Sequence, residues 1–425
     1  MNFPVTEFRW MAAAPALGAL QAVFEVAAHF AVGGSLFMVL LEHRAHRTGD
    51  QALLSFLQDW SRMFLLMSMI LGIGLGTGLW TVLAVAQPDA AHALLRIFLW
   101  VWGVMSILGI LLAAATLLHY SGWGVLPPRH HLALGWIIVV SAWLGLFAVN
   151  GVLAFMETPG QWMTTGHFID GFFNETFNPS MLVQAGASLG TAGLFSLVAG
   201  CAAEAGRLRG VLVRTASRFV LAGFALLPAG VAWHAATLSP AARQLLTGAP
   251  GIGPVLFYGG LAAAVTVFAF ALTGPFSRPE GCTRSFALLL LTLGLGAAVA
   301  AGFQREVVRS PHVITGYLYV NGLDPRALPA LERRGVLASA RYAAVRSLGA
   351  DPDRAGRELF RLECAACHTV GGFRSIRQAV QGWEPDALDR QLGRLDRLRG
   401  SMPPFAGTAG ERRALARWLA ALPAR

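Results

Sequence analysis

Five consecutive residues, Cys364-Ala365-Ala366-Cys367-His368, carry the densest chemistry in the chain. Two thiols separated by two residues share one helical turn, where both can form thioethers to a haem while the adjacent imidazole reaches its iron. A disulfide, a thioredoxin-like pair, a zinc half-site and chance compete for the same spacing. A zinc site would need a second Cys or His pair, and none follows. The expected chemistry is one covalent haem c held by Cys364, Cys367 and His368. A second constellation lies far upstream. Glu25 and His29 stand four residues apart inside an apolar run, so they share a helix face. Ionisable groups in such a run are costly and usually face a bundle interior, where a neutral imidazole could ligate iron with the carboxylate nearby. A hydrogen-bonded structural pair, or one that handles protons, is the alternative. The third cluster, Gln304 to His312, packs Arg305, Glu306, Arg309 and His312 into nine residues. Glu306 is expected there either as an acidic haem ligand or catalytic proton-handling group, with Arg309 ready to neutralise a propionate, or as one half of an ordinary ion pair with Arg305 or Arg309.

The elements that must position these groups are membrane helices. Of 425 residues 55% are hydrophobic and only 13% charged, a balance foreign to a soluble enzyme. The net charge of +10 rests on 33 basic residues that are all arginine, interrupted by apolar runs that leave no basic face for nucleic acid. Apolar runs of about twenty residues predict eight spans, near 13 to 41, 63 to 86, 93 to 119, 132 to 155, 180 to 203, 217 to 237, 252 to 274 and 285 to 303. An even number puts both termini on one side. A haem attached through thioethers is made outside a bacterial inner membrane, so both termini and the C-terminal domain are expected on the periplasmic face. Arginine placement agrees: Arg44, Arg47, Arg62, Arg129, Arg207, Arg209, Arg214, Arg218, Arg278 and Arg284 fall in or beside inner loops, against Arg9, Arg96 and Arg243 outside. The first run is too long, and lacks the basic leader, for a signal peptide.

The organisation expected is therefore an all-α transmembrane bundle over residues 1–315, a periplasmic linker over 316–350 with Asp351-Pro352-Asp353 as boundary and helix cap, and a small haem domain over 351–425. His43, His46, His130 and His131 are expected in solvated or headgroup-facing loops. His119 and His234, near span ends, are the other histidines placed to reach a buried cofactor. Cys201 and Cys282 read as ordinary thiols in apolar sites.

Two resemblances sharpen this. Residues 351–425 resemble a mono-haem class I cytochrome c, in which Met402 of Gly400-Ser401-Met402-Pro403-Pro404-Phe405 stands where the second axial ligand belongs; His/Met ligation raises a haem's potential and suits electron transfer. Residues 10 to 320 resemble subunit I of the cytochrome bd-type oxidases. That family's first-helix haem ligand would be His29 and its late Glu-x-x-Arg-x-Pro motif Glu306 to Pro311. Ser141-Ala142-Trp143, Val149-Asn150-Gly151 and Pro159-Gly160 match its fourth-helix signature, and Asn178-Pro179-Ser180 opens the fifth helix. The departures are equally informative. Val104 and Leu112 stand where the family has third-helix glutamates, Ala187 with Gln184 nearby replaces the low-spin haem histidine, the seventh span lacks a methionine, and the quinol loop shrinks to Leu238–Ile252. The resemblance implies one or two haems b or modified haems in the membrane and a second membrane subunit of the bd subunit II type. The losses leave a quinol no site of the usual kind. A c-type cytochrome or another respiratory complex becomes the expected electron partner, and a membrane haem oxidoreductase the expected function, with oxygen reduction left open. A non-catalytic electron conduit and a haem-free membrane anchor are the rivals.

Overall fold

The computed structural model describes residues 6–204, 206–248, 251–349, 351–399 and 402–423. Gly400 and Ser401 of the Met402 motif lie outside the described residues. Eight helices are long and apolar enough to cross a membrane: α1 (Ala13–Thr48), α2 (Gln51–Ala86), α3 (Leu99–Ser121), α4 (Pro128–Glu157), α5 (Phe177–Ala202), α6 (Arg207–Thr237), α7 (Ile252–Phe276) and α8 (Arg284–Arg309). Six of the eight expected spans fall inside one of them; the span expected from 93 starts instead at Leu99, because residues 88–97 form a separate short helix, and the one expected to reach 203 ends at Ala202. Their ends run past the apolar stretch wherever polar residues keep helical bonding outside the hydrocarbon, as Glu42 to Thr48 do in α1.

Local chemistry sets the turns. Gly49 closes α1 in a left-handed conformation (φ 67°) that a side chain disfavours. Asp50 then caps α2, accepting from Leu53 N–H at 3.1 Å, so one residue stops a helix and the next starts one. The residues 122–127 between α3 and α4 end in Pro127, and Pro128 takes the first helical position, where its missing N–H costs nothing. Within α2 the bonding widens over Leu66–Ile73 before α-geometry resumes.

Glycine decides which helices touch backbone to backbone. Gly186 and Gly190 on α5 meet Gly223 and Leu227 on α6; a Cβ on Gly186 would lie 2.7 Å from Leu227 N. Gly33 on α1 is pressed against the Ser188 carbonyl in the same way. Small residues at such crossings bring helices close in lipid, where van der Waals packing drives association. The central helices α1, α5 and α6 share the largest apolar core, around Phe30, Phe37, Leu194 and Val220. Helices α2, α3 and α7 line the outside, with Ile70, Ile73, Ile107, Ile110 and Val255 exposed.

One expectation is corrected here. Cys201 at the end of α5 and Cys282 before α8 are not separate thiols; they form a disulfide, with Cα atoms 6.0 Å apart. Their separation of 81 residues hid a pairing that only the meeting of α5, α6 and α8 creates.

Beyond α8 a short hairpin pairs β1 (His312–Ile314) with β2 (Leu318–Tyr319) and is tied to α4 by Thr315 N–H donating to Met156 O at 3.0 Å. The C-terminal domain is built on α9 (Pro352–Glu363), α10 (Pro385–Leu392) and α11 (Ala409–Ala420). Asp351 caps α9 by accepting from Arg354 N–H at 3.0 Å. Residues 316–349 are not an open tether: Leu323, Val336, Leu337 and Ala340 are buried in the C-terminal domain's core. Polar ties hold them there. Glu411 accepts from Val336 and Leu337 N–H at 3.1 and 2.9 Å while closing a capping box with Thr408, and Glu358 accepts from Ala344 N–H at 2.8 Å.

Candidate haem sites

The Cys364–His368 segment leaves α9 as a turn. His368 N–H donates to the Cys364 carbonyl at 2.9 Å, which closes the turn over the two cysteines. The His368 ring donates Nδ1–H to the Arg374 carbonyl at 3.2 Å, so Nε2 is the nitrogen free for iron. Burial holds its pKa below the usual imidazole range and keeps the ligand neutral. Cys364 and Cys367 are unpaired. Burial pushes the Cys367 thiol up to about 11 and Cys364 above its ordinary range, the opposite of a reactive thiolate. A disulfide and a thioredoxin-like pair both lose their footing. Met402 is half-buried, and its loop is fastened to α9 where Ala406 N–H reaches the buried Glu363 carboxylate. Burial raises Glu363 to about 8. The donor set fits a covalent haem: two free thiols, one oriented imidazole and a thioether on a loop anchored beside them.

In the bundle, three polar knots stand out. Near the end that carries the C-terminal domain, Glu25 on α1 receives Arg305 from α8 and Gln21 Nε2, the latter at 2.9 Å. One turn further into α1, His29 donates Nε2–H to Gln184 Oε1 on α5 at 2.7 Å. Glu306 points elsewhere on α8 and is held by Arg309 at 2.5 and 2.6 Å. Adjacent residues on a helix diverge by about 100°, so Arg305 and Glu306 serve different neighbours. Among the described residues no hydrogen bond or ion pair joins Glu306 or Arg309 to His29 or Glu25.

The second knot pairs Glu157 at the end of α4 with His234 on α6 at 2.9 Å, both buried. The third lies at the opposite end of the bundle, where Glu42, His119 and His131 meet. His131 is therefore not solvated; the α3–α4 hairpin folds it inward against His119. Glu42 and Glu157 escaped notice in the sequence because each sits at a span end, where a carboxylate is ordinarily wet.

The two parts of the chain touch at a telling place. Ala14 N–H, one of the unpaired donors in the first turn of α1, donates to the Ala366 carbonyl between the two haem cysteines at 2.9 Å. Phe373 N–H donates to the Trp10 carbonyl at 2.9 Å. The Cys364–His368 loop thus caps the helix that carries Glu25 and His29.

Residues 351–419 match the family model described as cytochrome c oxidase, cbb3-type, subunit III. No curated relative matches the chain by sequence. Among solved structures the bd oxidase from Geobacillus thermodenitrificans has the same fold, with a TM-score of 0.62 at 15% identity over 72% of this chain and 88% of that one. This is a bd-oxidase-like membrane bundle fused to a cytochrome c domain. The cytochrome c domain implies covalent haem c, and the whole is a membrane haem electron-transfer protein.

Proposed function

We propose that this protein is a membrane haem oxidoreductase subunit that exchanges electrons with c-type cytochromes through its own haem c and passes them to haem in the bundle, in the manner of a cytochrome c-fed terminal oxidase. The observation that carries this reading is the seating of the Cys364–His368 loop on the first turn of α1. From Ala14 to His29 is fifteen residues, about 22 Å along a helix. A haem held at each end would shorten that gap.

His29 supplies an imidazole for one haem b or modified haem, and Gln184, which holds it here, is an uncharged side chain that can turn aside. Glu306 supplies a carboxylate ligand, with Arg309 and Arg305 as cations for haem propionates. The Glu25–Arg305 pair lies between His29 and the docked domain and is suited to proton handling. The haem would supply the electron-transfer chemistry; these side chains bind, orient and neutralise it.

The segment Leu238–Gly251 between α6 and α7, with its short helix Pro240–Thr247, offers little room for a quinol. The cytochrome domain carries thirteen arginines against nine acids, which suits an acidic c-type cytochrome or another respiratory complex as partner. The exposed apolar faces of α2, α3 and α7 suit a second membrane subunit as well as lipid. Arginine-rich loops lie at the bundle end opposite the cytochrome domain, which supports a bacterial inner-membrane location with that domain in the periplasm.

The test is a pyridine haemochrome assay split into extractable and covalent haem, on wild type and His29→Ala. Extractable haem that falls in the variant supports the proposal. Covalent haem alone, unchanged in the variant, leaves a cytochrome c on a haem-free anchor. The engagement of His29 by Gln184 and of Glu306 by Arg309 favours one second reading, a conduit with no open iron site. Carbon monoxide separates the two: a shifted reduced spectrum of the extractable haem marks an open iron, and an unshifted one the conduit.

A further inference from the structure

At the bundle end away from the cytochrome domain, α1, α3 and α4 bring Glu42, His119 and His131 together, with 0%, 1% and 3% of their surfaces exposed. Glu42 Oε2 lies 2.9 Å from His119 Nε2, and Oε1 lies 2.7 Å from His131 Nδ1. One ligand atom from each of the three falls within 4.8 Å of the others. None of the three belongs to the haem sites described above.

Two features set this cluster apart from a satisfied polar core. The first is charge. Glu25 and Glu306 each face a guanidinium, whereas among the described residues the ion partners of Glu42 are His46, His119 and His131 alone. A buried carboxylate without a permanent cation is expensive in a low-dielectric interior. The second is a proton count. His131 Nε2 lies 2.9 Å from the His119 backbone carbonyl, an oxygen that can only accept, so Nε2 carries the proton. In the neutral ring Nδ1 is then a lone pair, and it faces a carboxylate oxygen. Two acceptors at 2.7 Å require a cation, either a proton or a metal ion.

We propose that this cation is a divalent metal ion of the zinc class, held by Glu42, His119 and His131, with His46 as the fourth ligand. Imidazole and carboxylate donors in fours are the set zinc prefers. His46 follows Glu42 by one turn of α1; its Nε2 is 3.6 Å from Glu42 Oε1, and its partly exposed side chain gives the ion a path from the surface. The His131 ring is fixed by its bond to the His119 carbonyl, the outer-shell support that orients a metal-bound imidazole. The Trp123 ring packs 4.3 Å from His131 and 5.5 Å from His119 and shields the site from water. Bonds of ~2.0–2.1 Å around a tetrahedral ion set ligand atoms ~3.3 Å apart, within reach of small side-chain rotations. With four protein ligands the site is closed, and its role is structural: it joins three helices.

Metal analysis of the full-length protein in detergent, purified without chelator, tests this independently of any haem in the bundle. About one zinc per chain is expected beside the haem iron. Glu42→Gln and His131→Asn should each lose it more than tenfold while the size-exclusion profile and covalent haem content stay unchanged. Zinc added to chelator-treated wild type should raise its melting temperature and leave Glu42→Gln unmoved. If both core variants fail to give monodisperse protein, His46→Ala decides the matter: zinc affinity weakened tenfold or more upholds the site, and unchanged affinity overturns it. Wild type without zinc above background, as purified and after zinc dialysis, also overturns it and assigns the cation as a proton shared in an imidazolium–carboxylate cluster.

Discussion

Single side chains set the chemistry of this protein, and their neighbours set how each can be tested. Arg305 and Glu25 face one another across α8 and α1, each largely buried. Removing one partner of such a pair leaves the other charge uncompensated and typically costs about 3–5 kcal/mol. Glu25→Ala should therefore lower the melting temperature sharply, and Glu25→Ala combined with Arg305→Met should recover much of the loss; two independent, additive losses would show that the pair is not coupled. Glu363 makes the pH prediction. Its pKa is raised to about 8 by burial, so the folded domain binds a proton that the unfolded chain gives up near the ordinary carboxylate value. Stability is then fully present below pH 4 to 5 and lost as pH rises toward 8, by at most ~5 kcal/mol. Thermal melts of the haem c absorbance at pH 6 and pH 9 should separate wild type from Glu363→Gln more widely at the higher pH, with the variant more stable there. At Met402 the expectation is a lowered haem potential on replacement by histidine, read by redox titration.

Elements position those residues through close backbone approach rather than through long side chains. The α5–α6 crossing rests on Gly186 and Gly223, where the nearest atoms are the neighbour's backbone. A backbone cannot rotate away as a side chain can. Gly186→Leu should cost more than the 1–3 kcal/mol of ordinary overpacking, and size-exclusion chromatography should show aggregated rather than monodisperse protein. The number and rough position of the eight helices were legible in the sequence because a membrane span needs about twenty apolar residues in an unbroken run. Which helices cross at glycine was not, because forty-eight glycines offer many candidate stripes and only packing selects among them.

Across the whole molecule, the decisive contact is between the haem-binding loop and the start of α1. Gly372 sits where an added Cβ would meet the Arg9 carbonyl at 2.7 Å and press on that of Trp10. Gly372→Val should push the cytochrome domain off this seat without touching a haem ligand. Flash-photolysis or stopped-flow kinetics should show electron transfer from haem c into the bundle slowed by about tenfold or more, as expected when a docked site becomes merely a tethered one, with the haem c potential unchanged. Equal rates in variant and wild type would mean that this contact is not on the electron route.

The amino-acid order by itself determined the class of the protein, its eight spans, the Cys364–His368 motif and the polar residues His29, Glu25 and Glu306. Those signals are local: a hydrophobic run, a five-residue motif and an ionisable group where lipid forbids one. Only the tertiary structure decided who meets whom. It gave Glu25 to Arg305, Glu306 to Arg309 and His29 to Gln184, joined Cys201 to Cys282, turned residues 316–349 from a tether into part of a domain core, and gathered Glu42, His119 and His131 from three helices. The physical reason is that a helix face is fixed by the 3.6-residue repeat, whereas the rotation and partner of each helix follow from packing between segments that can lie eighty or more residues apart.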